Sequence, residues 1–250
     1  MRKSRKEQLK ETGLYHKYQR GHNRESILKT DTQKIKYMNC LCEKKDEEIS
    51  EHVLWHSYCI MNNHPHEVGH AGWDMTIDNF REVGIGKLGD WMRNAHSQYG
   101  SWFNVKEGRE GAVHSSRPKT QMIKSEADVI VAMLYGDANP VRVGIADHPS
   151  KYRWSSYRFY AYGETNEFTR YLDIPAAYLS LGSTPKSRQR RYRRLMTSYL
   201  RRNGLLTVLV RYKEHHQDDE GAEELDGYFS IKDAVMAELT AGRNEQIRFG

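Results

Sequence analysis

The segment from residue 52 to residue 71 constrains the fold of this chain more than any other. It begins with a nearly continuous apolar and aromatic run, HVLWHSYCIM, which is typical of a central strand that is buried on both faces. Residues 62–63 are both asparagine and predict a turn, and residues 64–71 predict a second, partnering strand. Because Pro65 has no amide hydrogen, it must lie at an edge, at a bulge or at the start of that strand.

The segments on either side of this pair predict one more strand and three helices. The first strand has alternating aromatic and polar residues, and the helices have apolar residues at helical spacing. Ser125 caps the third helix, and Pro140 is expected to end it because proline cannot continue the hydrogen-bonding pattern. The polar, glycine-containing residues 108–120 are interpreted as a loop. The predicted elements are a strand over 14–20 and helices over 31–45, 77–103 and 125–140, the first helix being capped by Thr30 or Asp31.

Composition narrows the class of protein. The 250 residues include 39 Lys and Arg against 33 Asp and Glu, which gives a net charge of +6 and is compatible with a polyanionic partner. No stretch approaches the ~18 apolar residues that a membrane span requires, and the charged N-terminus is unlike a signal peptide. A cytoplasmic protein without membrane contact is therefore expected. Three cysteines cannot all pair, so Cys40 and Cys42 are expected to be reduced thiols on a helix.

Charge is unevenly distributed over the last third of the chain. Residues 186–202 contain eight basic and no acidic side chains, so a helix here is either a contact surface for phosphates or a solvated face. Residues 218–224 are acidic, and the region that follows them is interpreted as a small helical appendage. Potential metal ligands in this acidic region are better explained as parts of an exposed tail; they are His215, His216, Asp218 and Asp219.

Two histidines, His64 and His66, are separated by one residue in the second of the paired strands. Side chains alternate along a strand, so both imidazoles would point to one face and could share a metal ion. On a helix the same spacing would separate them. The alternative is a pair of unrelated surface histidines in a chain that contains 12 histidines.

Tyr135 and Asn139 are four residues apart near the end of the third predicted helix, so they can project from the same side. A tyrosine on a helix commonly serves packing alone, because a phenol with a pKa of about 10 is a weak nucleophile. A metal ion beside it would polarise a phosphate under attack and stabilise charge in the transition state.

Three motifs follow one another along the chain: HSYCIMNNHPH, YGDANPVRVGI and YRWSSYRFYAYG. In this order they resemble the REP-associated tyrosine transposases, members of the single-tyrosine HUH superfamily. That family has Met-x-Asn before a His-hydrophobe-His pair, a tyrosine four residues before Asn-Pro-Val-Arg, and then Trp-Ser-Ser-Tyr. The residues here that match are Met61, Asn63, His64, His66, Tyr135, Asn139 to Arg142 and Trp154 to Tyr157, and RGHNRESIL at 20–28 is similar to the family's opening motif.

The resemblance implies an α+β, ferredoxin-like fold with helices on one face of an antiparallel sheet, plus a C-terminal helical extension. It implies a catalytic domain over 1–180 and a basic, then acidic, extension over 181–250. The implied activity is that of a transposase that cleaves and transfers single-stranded or hairpin DNA, with Tyr135 forming a 5′-phosphotyrosine. His64, His66 and Asn139 would bind Mg²⁺ or Mn²⁺, and Glu67 is the next candidate for the third ligand.

Two other functions stay open: a catalytically inactive DNA-binding protein of the same fold, and a metal-dependent hydrolase that does not need Tyr135. A nucleoid-associated location is expected, and a homodimer is left open. The aromatic residues between Tyr152 and Tyr160 either stack on bases or pack internally. The basic residues predicted to contact DNA are Arg20, Arg24, Lys119, Arg142, Arg153, Arg158, Arg190, Arg191, Arg193 and Arg194.

Overall fold

The computed structural model describes residues 4–115, 117–205 and 230–249. The chain divides into two compact units, and each is considered by itself. Unit 1 comprises Met1–Lys124 and Arg170–Asp173, and unit 2 comprises Ser125–Thr169 and Ile174–Gly250. The domain boundary at residue 180 stays a prediction.

Unit 1 is built on an antiparallel sheet. Within the described part of the chain, four strands form this sheet in the order β2-β3-β1-β4. The strands are β1 (Leu14–Tyr18), β2 (Val53–Ile60), β3 (Pro65–Ala71) and β4 (Lys119–Met122). This order, with helical connections from β1 to β2 and from β3 to β4, is that of a ferredoxin-like fold, so the α+β fold class is confirmed.

The helices of unit 1 are α1 (Arg5–Leu9), α2 (Asp31–Lys44), α3 (Glu47–His52) and α4 (Phe80–Glu107). Thr30 caps α2, since its side chain accepts the amide hydrogen of Gln33. On the helix-covered face of the sheet, the indole of Trp55 from β2 meets that of Trp91 from α4 edge to face, with ring centroids 5.6 Å apart. The other face carries the histidines described below.

Strand β2 was predicted to be central, and this was wrong because β2 lies at an edge of the sheet. Its burial has another cause. The backbone of Trp55 is bonded to Asp173, whose amide donates to the Trp55 carbonyl at 2.8 Å and whose carboxylate accepts from the Trp55 amide at 2.8 Å. Lys45 lies 3.1 Å from the same carboxylate. The segment that contains Asp173 thus covers the edge of the sheet. The apolar run of β2 would be the same whether such a segment or another strand lay beside it.

Strand β4 was missed in the sequence, where residues 108–120 were interpreted as a loop. Its four residues (KTQM) are mostly polar and alternate between exposed and half-buried positions, so no apolar run marks them. The strand forms because its backbone pairs with β1, Tyr15 standing opposite Met122 and Tyr18 opposite Lys119. Tertiary pairing rather than local composition creates this element.

Unit 2 is helical in its described part. The helices are α5 (Glu126–Arg142), α6 (Tyr157–Tyr162), α7 (Ala176–Leu179), α8 (Pro185–Arg202) and α9 (Ile231–Phe249). Helices α8 and α9 confirm the predicted C-terminal helical extension. The acidic segment and the potential ligands at 215–219 lie outside the described residues.

The core of unit 2 is rich in tyrosine. Tyr157, Tyr160 and Tyr192 are each at most 1% exposed, and their ring centroids lie 5.9 to 6.0 Å apart where they meet. Tyr152 and Trp154 are also buried. Burial favours internal packing over base stacking for these aromatic residues.

Helix α5 begins as predicted, because the hydroxyl of Ser125 accepts the amide hydrogen of Asp128. It does not end at Pro140, however, which corrects the sequence prediction. The helix runs through Pro140 to Arg142, and the amide of Val143 still donates to the carbonyl of Asn139 at 3.2 Å. A proline removes one donor, and the following residues restore the pattern.

The three cysteines of the chain all lie among the described residues, where they are free and buried, as expected. In the same residues, no helix combines the length and the apolar character that a membrane span needs.

Candidate functional site

The two histidines of the His-x-His motif lie together at the start of β3. Pro65 is the first residue of that strand. The start of a strand is one of the positions predicted for it, since a proline has no amide hydrogen to donate. The imidazole centroids of His64 and His66 are 4.6 Å apart. His66 stands opposite Tyr18 of β1 and Cys59 of β2. The predicted proximity of the pair is therefore found.

A third imidazole, missed in the sequence, lies beside this pair. His16 Nε2 on β1 is 2.9 Å from His66 Nδ1, and the two rings stack with centroids 5.1 Å apart. His16 is 8% exposed and His66 is 4% exposed. The contact depends on the register of β1 against β3, which sequence spacing does not reveal. The alternation of β1, which puts His16 and Tyr18 on one face, was the available signal.

The hydrogen bond of His64 favours one tautomer. His64 Nδ1 lies 2.5 Å from the side-chain oxygen of Asn63. An amide oxygen only accepts, so Nδ1 carries the hydrogen and Nε2 carries the lone pair. His66 Nδ1 is bonded to His16 Nε2, and the tautomer in which His66 donates this hydrogen leaves its own Nε2 as an electron-pair donor. Metal-binding histidines commonly donate their second ring nitrogen in this way.

Burial keeps these imidazoles neutral. Desolvation, followed by repulsion from Arg20, lowers the pKa of His64 to about 4. Desolvation, followed by repulsion from His64, lowers the pKa of His16 to about 4, and the pKa of His66 is lowered mainly by burial and then by His16. At neutral pH all three rings are uncharged, which is the form that binds a metal ion.

The donor set fits part of a metal shell. Among residues 4–115, 117–205 and 230–249, no group of three or more His, Cys, Asp or Glu is arranged to hold a metal ion. His64 and His66 supply two nitrogens, so the other ligands would be oxygens from an amide, from water or from a substrate. Two imidazoles suit Mn²⁺ better than Mg²⁺, which prefers oxygen ligands.

Glu67 does not belong to the histidine face, which corrects its place as the next candidate ligand. Its carboxylate lies 2.8 Å from the ammonium of Lys17, and these side chains are 0% and 1% exposed. The hydroxyl of Tyr37 donates to it at 3.0 Å. Lys17 and Glu67 stand opposite each other in β1 and β3. Their ion pair therefore contributes, from the helix-covered face, to the register that brings His16 to His66.

Tyr135 and Asn139 occupy one side of α5 in unit 2. The side-chain amide of Asn139 donates to the carbonyl of Tyr135 at 3.0 Å. The guanidinium of Arg142 lies 4.8 Å from the centroid of the Tyr135 ring and donates to the hydroxyl of Tyr199 at 2.8 Å. Tyr135 is half-buried and Asn139 is 6% exposed. The predicted common side of the helix is confirmed, and Arg142 orients the tyrosine ring.

The predicted residues are thus distributed over the two units. His64 and His66 belong to unit 1, whereas Tyr135 and Asn139 belong to unit 2. Their combination into one catalytic centre stays a prediction and is taken up below as a proposal.

The predicted DNA contacts differ in their surroundings. In unit 1, Lys119 is exposed and lies 5.6 Å from the centroid of the Tyr18 ring. In unit 2, Arg158 pairs with Glu164. Arg191 and Arg194 are half-buried and bind carboxylates of α9, as described below. The remaining predicted contacts outside α8 are exposed; they are Arg20, Arg24, Arg142 and Arg153.

Comparison with known proteins gives little close similarity. No model of a protein family matches the chain, and no curated protein matches it. A solved structure described as a REP-associated tyrosine transposase bound to a REP hairpin is similar at 18% identity, with a TM-score of 0.43. The match covers 66% of this chain and 91% of that chain.

Acid is expected to destabilise unit 1 between about pH 6.5 and pH 4. Burial, the largest cause in each case, lowers the pKa of both His70 and His114 to about 4, while the unfolded chain binds protons near 6.5. Their contribution to stability is therefore complete above pH 6.5 and is lost as the pH falls towards 4. Each group contributes about 3 kcal/mol to this loss. Urea unfolding followed by tryptophan fluorescence from pH 7.5 to pH 4.5 measures it.

A matched pair of variants isolates the cause. His70→Gln should reduce the pH dependence of the free energy of unfolding without abolishing it, because His114 and the other histidines with lowered pKa values remain. His22→Gln, at an exposed position, serves as the control. Stability that is constant from pH 7.5 to pH 4.5 would contradict the expectation.

Proposed function

We propose that this chain is a metal-dependent DNA strand transferase of the transposase class, which cuts single-stranded or hairpin DNA with Tyr135. The observation that carries the proposal is a pair of neutral imidazoles on one face of a ferredoxin-like sheet, His64 half-buried and His66 buried. The bond of His64 Nδ1 to Asn63 leaves the lone pair of His64 on Nε2. The order of motifs around the pair supports the same assignment.

In this proposal His64, His66 and the side-chain oxygen of Asn139 hold the metal ion. When bound, the ion would polarise the scissile phosphate and stabilise the charge that develops on its oxygens. Asn139 suits this role because its side-chain nitrogen donates to the Tyr135 carbonyl. The side-chain oxygen is then the atom that would bind a cation. The amide oxygen adds the ligand type that a hard ion prefers.

The chemical step conserves one phosphodiester bond. The phenol oxygen of Tyr135 attacks phosphorus and forms a tyrosine-phosphate bond, while the bond from phosphorus to the 3′ oxygen breaks and leaves a 3′-hydroxyl. The phenol proton is released to solvent and the leaving oxygen takes one up. Because one diester replaces another, the hydroxyl can attack in turn and rejoin strands without another energy source. Arg142, stacked on the Tyr135 ring, acts as a positioning residue.

Covalent trapping on end-labelled DNA tests the proposal. A suitable substrate is a pool of oligonucleotides with a constant hairpin and randomised single-stranded flanks, incubated with Mn²⁺ or with a chelator. A 5′-phosphotyrosine predicts that a 3′ label migrates with the denatured protein and that a 5′ label is released. Cleavage without an adduct would indicate a hydrolase, and binding without cleavage would indicate a DNA-binding protein, so either result would reject the proposal.

Asn139→Ala is expected to raise the Mn²⁺ concentration needed for half-maximal cleavage by about tenfold or more, because the third ligand is lost. Asn139→Gln should restore part of the affinity. The matched control is Thr240→Ala on α9, since the Thr240 hydroxyl also donates to the carbonyl four residues earlier, at 2.9 Å. An Asn139→Ala variant with the metal dependence of the parent would restrict Asn139 to a helix-stabilising role.

A further inference from the structure

Five of the eight basic side chains of helix α8 form two stripes that the sequence does not separate. Arg191 and Arg194, three residues apart, face the C-terminal helix α9. Lys186, Arg190 and Arg193 recur at intervals of four and three residues, so they form another stripe along α8. Between the stripes lie buried residues of the unit 2 core, Tyr192, Leu195 and Met196.

The stripe that faces α9 is neutralised. Arg191 Nε lies 2.9 Å from the carboxylate of Glu238, and its Nη1 lies 2.5 Å from that of Glu245. Arg194 lies 3.4 Å from Glu238, which is 4% exposed. These ion pairs, between half-buried arginines and the carboxylates of Glu238 and Glu245, hold α9 against α8 and have a structural role. They are therefore poor candidates for phosphate contacts, although the sequence places them in the same basic block.

The other stripe lines a pocket of about 500 Å³. Lys186, Arg190 and Arg193 contribute to its wall together with Tyr162 and Gln189. Within the described part of the chain, no carboxylate lines it. The first turn of α8 also contributes to the wall, and the amide dipoles of a helix start favour an anion.

The cations of this pocket are partly fixed in place. Arg193 Nη1 donates to the carbonyl of Ala161 at 2.5 Å, and its guanidinium lies 5.3 Å from the centroid of the Tyr162 ring. These contacts fix the orientation of the Arg193 guanidinium in the absence of a ligand, which reduces the entropy cost of binding. Lys186 and Arg190 are exposed and can adjust to an anion.

We propose that this pocket binds a phosphate group of the DNA backbone and that it anchors DNA independently of strand cleavage. The assignment rests on the proposed function only in taking DNA as the partner. Three cations without a carboxylate suit a phosphodiester, and no base-reading group is needed for such a contact. Arg191 and Arg194, which are paired with carboxylates of α9, then contribute little to binding.

Equilibrium binding in the presence of a chelator tests the pocket without requiring catalysis. The double variant Lys186→Gln with Arg190→Gln is compared with a control that removes two exposed charges of unit 2 elsewhere, Lys151→Gln with Arg248→Gln. At about 0.1 M salt the pocket variant should bind a labelled hairpin oligonucleotide about tenfold more weakly, and its slope of log K against log salt should fall by about 1 to 2. The control should change affinity less than about twofold. Equal effects in both variants, or no effect in the pocket variant, would overturn the proposal.

Competition distinguishes a backbone phosphate from a free one. Inorganic phosphate and dAMP, each at matched ionic strength, should displace the oligonucleotide only at millimolar concentrations. Micromolar binding of dAMP that is lost in the pocket variant would instead show a mononucleotide site and overturn the assignment to DNA. A protein that forms no covalent adduct but shows the expected loss in the pocket variant would refute the proposed catalysis and keep the pocket.

Discussion

Tyr135→Phe is expected to lower DNA cleavage and adduct formation by at least about a thousandfold, because only the attacking oxygen is removed. The phenyl ring keeps its place beneath the guanidinium of Arg142, so folding and DNA affinity should stay within about twofold of the parent. Cleavage of end-labelled oligonucleotides and fluorescence anisotropy measure the two effects separately.

Tyr171→Phe provides the control for this experiment. Tyr171 is also half-buried, and its hydroxyl accepts a hydrogen bond from Arg170 at 3.0 Å. Its loss should leave cleavage unchanged. Persistent cleavage by Tyr135→Phe would refute the nucleophile assignment. Tyr18, whose ring centroid lies 6.0 Å from that of His66, would then be the next candidate nucleophile.

His64→Ala and His66→Ala are each expected to lower metal-dependent cleavage by about a thousandfold. Titration calorimetry should detect Mn²⁺ binding in the parent and none in either variant. The reason is that each variant removes one of the two imidazole nitrogens that are proposed to bind the metal ion. His66→Gln, which keeps a polar group at a buried position, serves as a second variant should the alanine destabilise unit 1.

Two further variants test whether His16 positions the metal-binding histidines. His16→Ala should weaken Mn²⁺ binding by about tenfold, since His16 orients His66 through a hydrogen bond to Nδ1 of His66. His52→Ala removes a histidine that contacts the carbonyl of Glu48 on α3 and should have no effect on metal binding. Parent-level cleavage by His64→Ala, or by the parent in a chelator, would assign these histidines a structural role.

Local sequence patterns were sufficient to predict features that depend on neighbouring residues, in both units. Helix α2 begins where Thr30 and the apolar spacing indicate, because capping and periodicity depend on neighbouring residues. The proximity of His64 and His66 followed from the alternation of a strand, which holds wherever that strand lies in the sheet. The same applies to Tyr135 and Asn139, since helix geometry alone sets their separation.

Features that depend on distant pairing could not be obtained in this way. The covering of the edge strand β2 depends on Asp173, which is more than a hundred residues away and is bonded to the backbone of Trp55. The contact of His16 with His66 depends on strand register, to which the buried pair of Lys17 and Glu67 contributes. The pairing of Arg191 with Glu238 joins two helices separated by a long connection, so the basic block looked unpaired in the sequence.

The most direct test of the central claim is to identify the residue that carries DNA after reaction. The parent protein is trapped with the hairpin pool in Mn²⁺, digested with nuclease and protease, and examined by tandem mass spectrometry for a peptide with a nucleotide attached through phosphate. We expect the modification on Tyr135 and its absence when a chelator is present. A modification on Tyr18 or on another residue, or cleaved DNA without any modified peptide, would contradict the assignment.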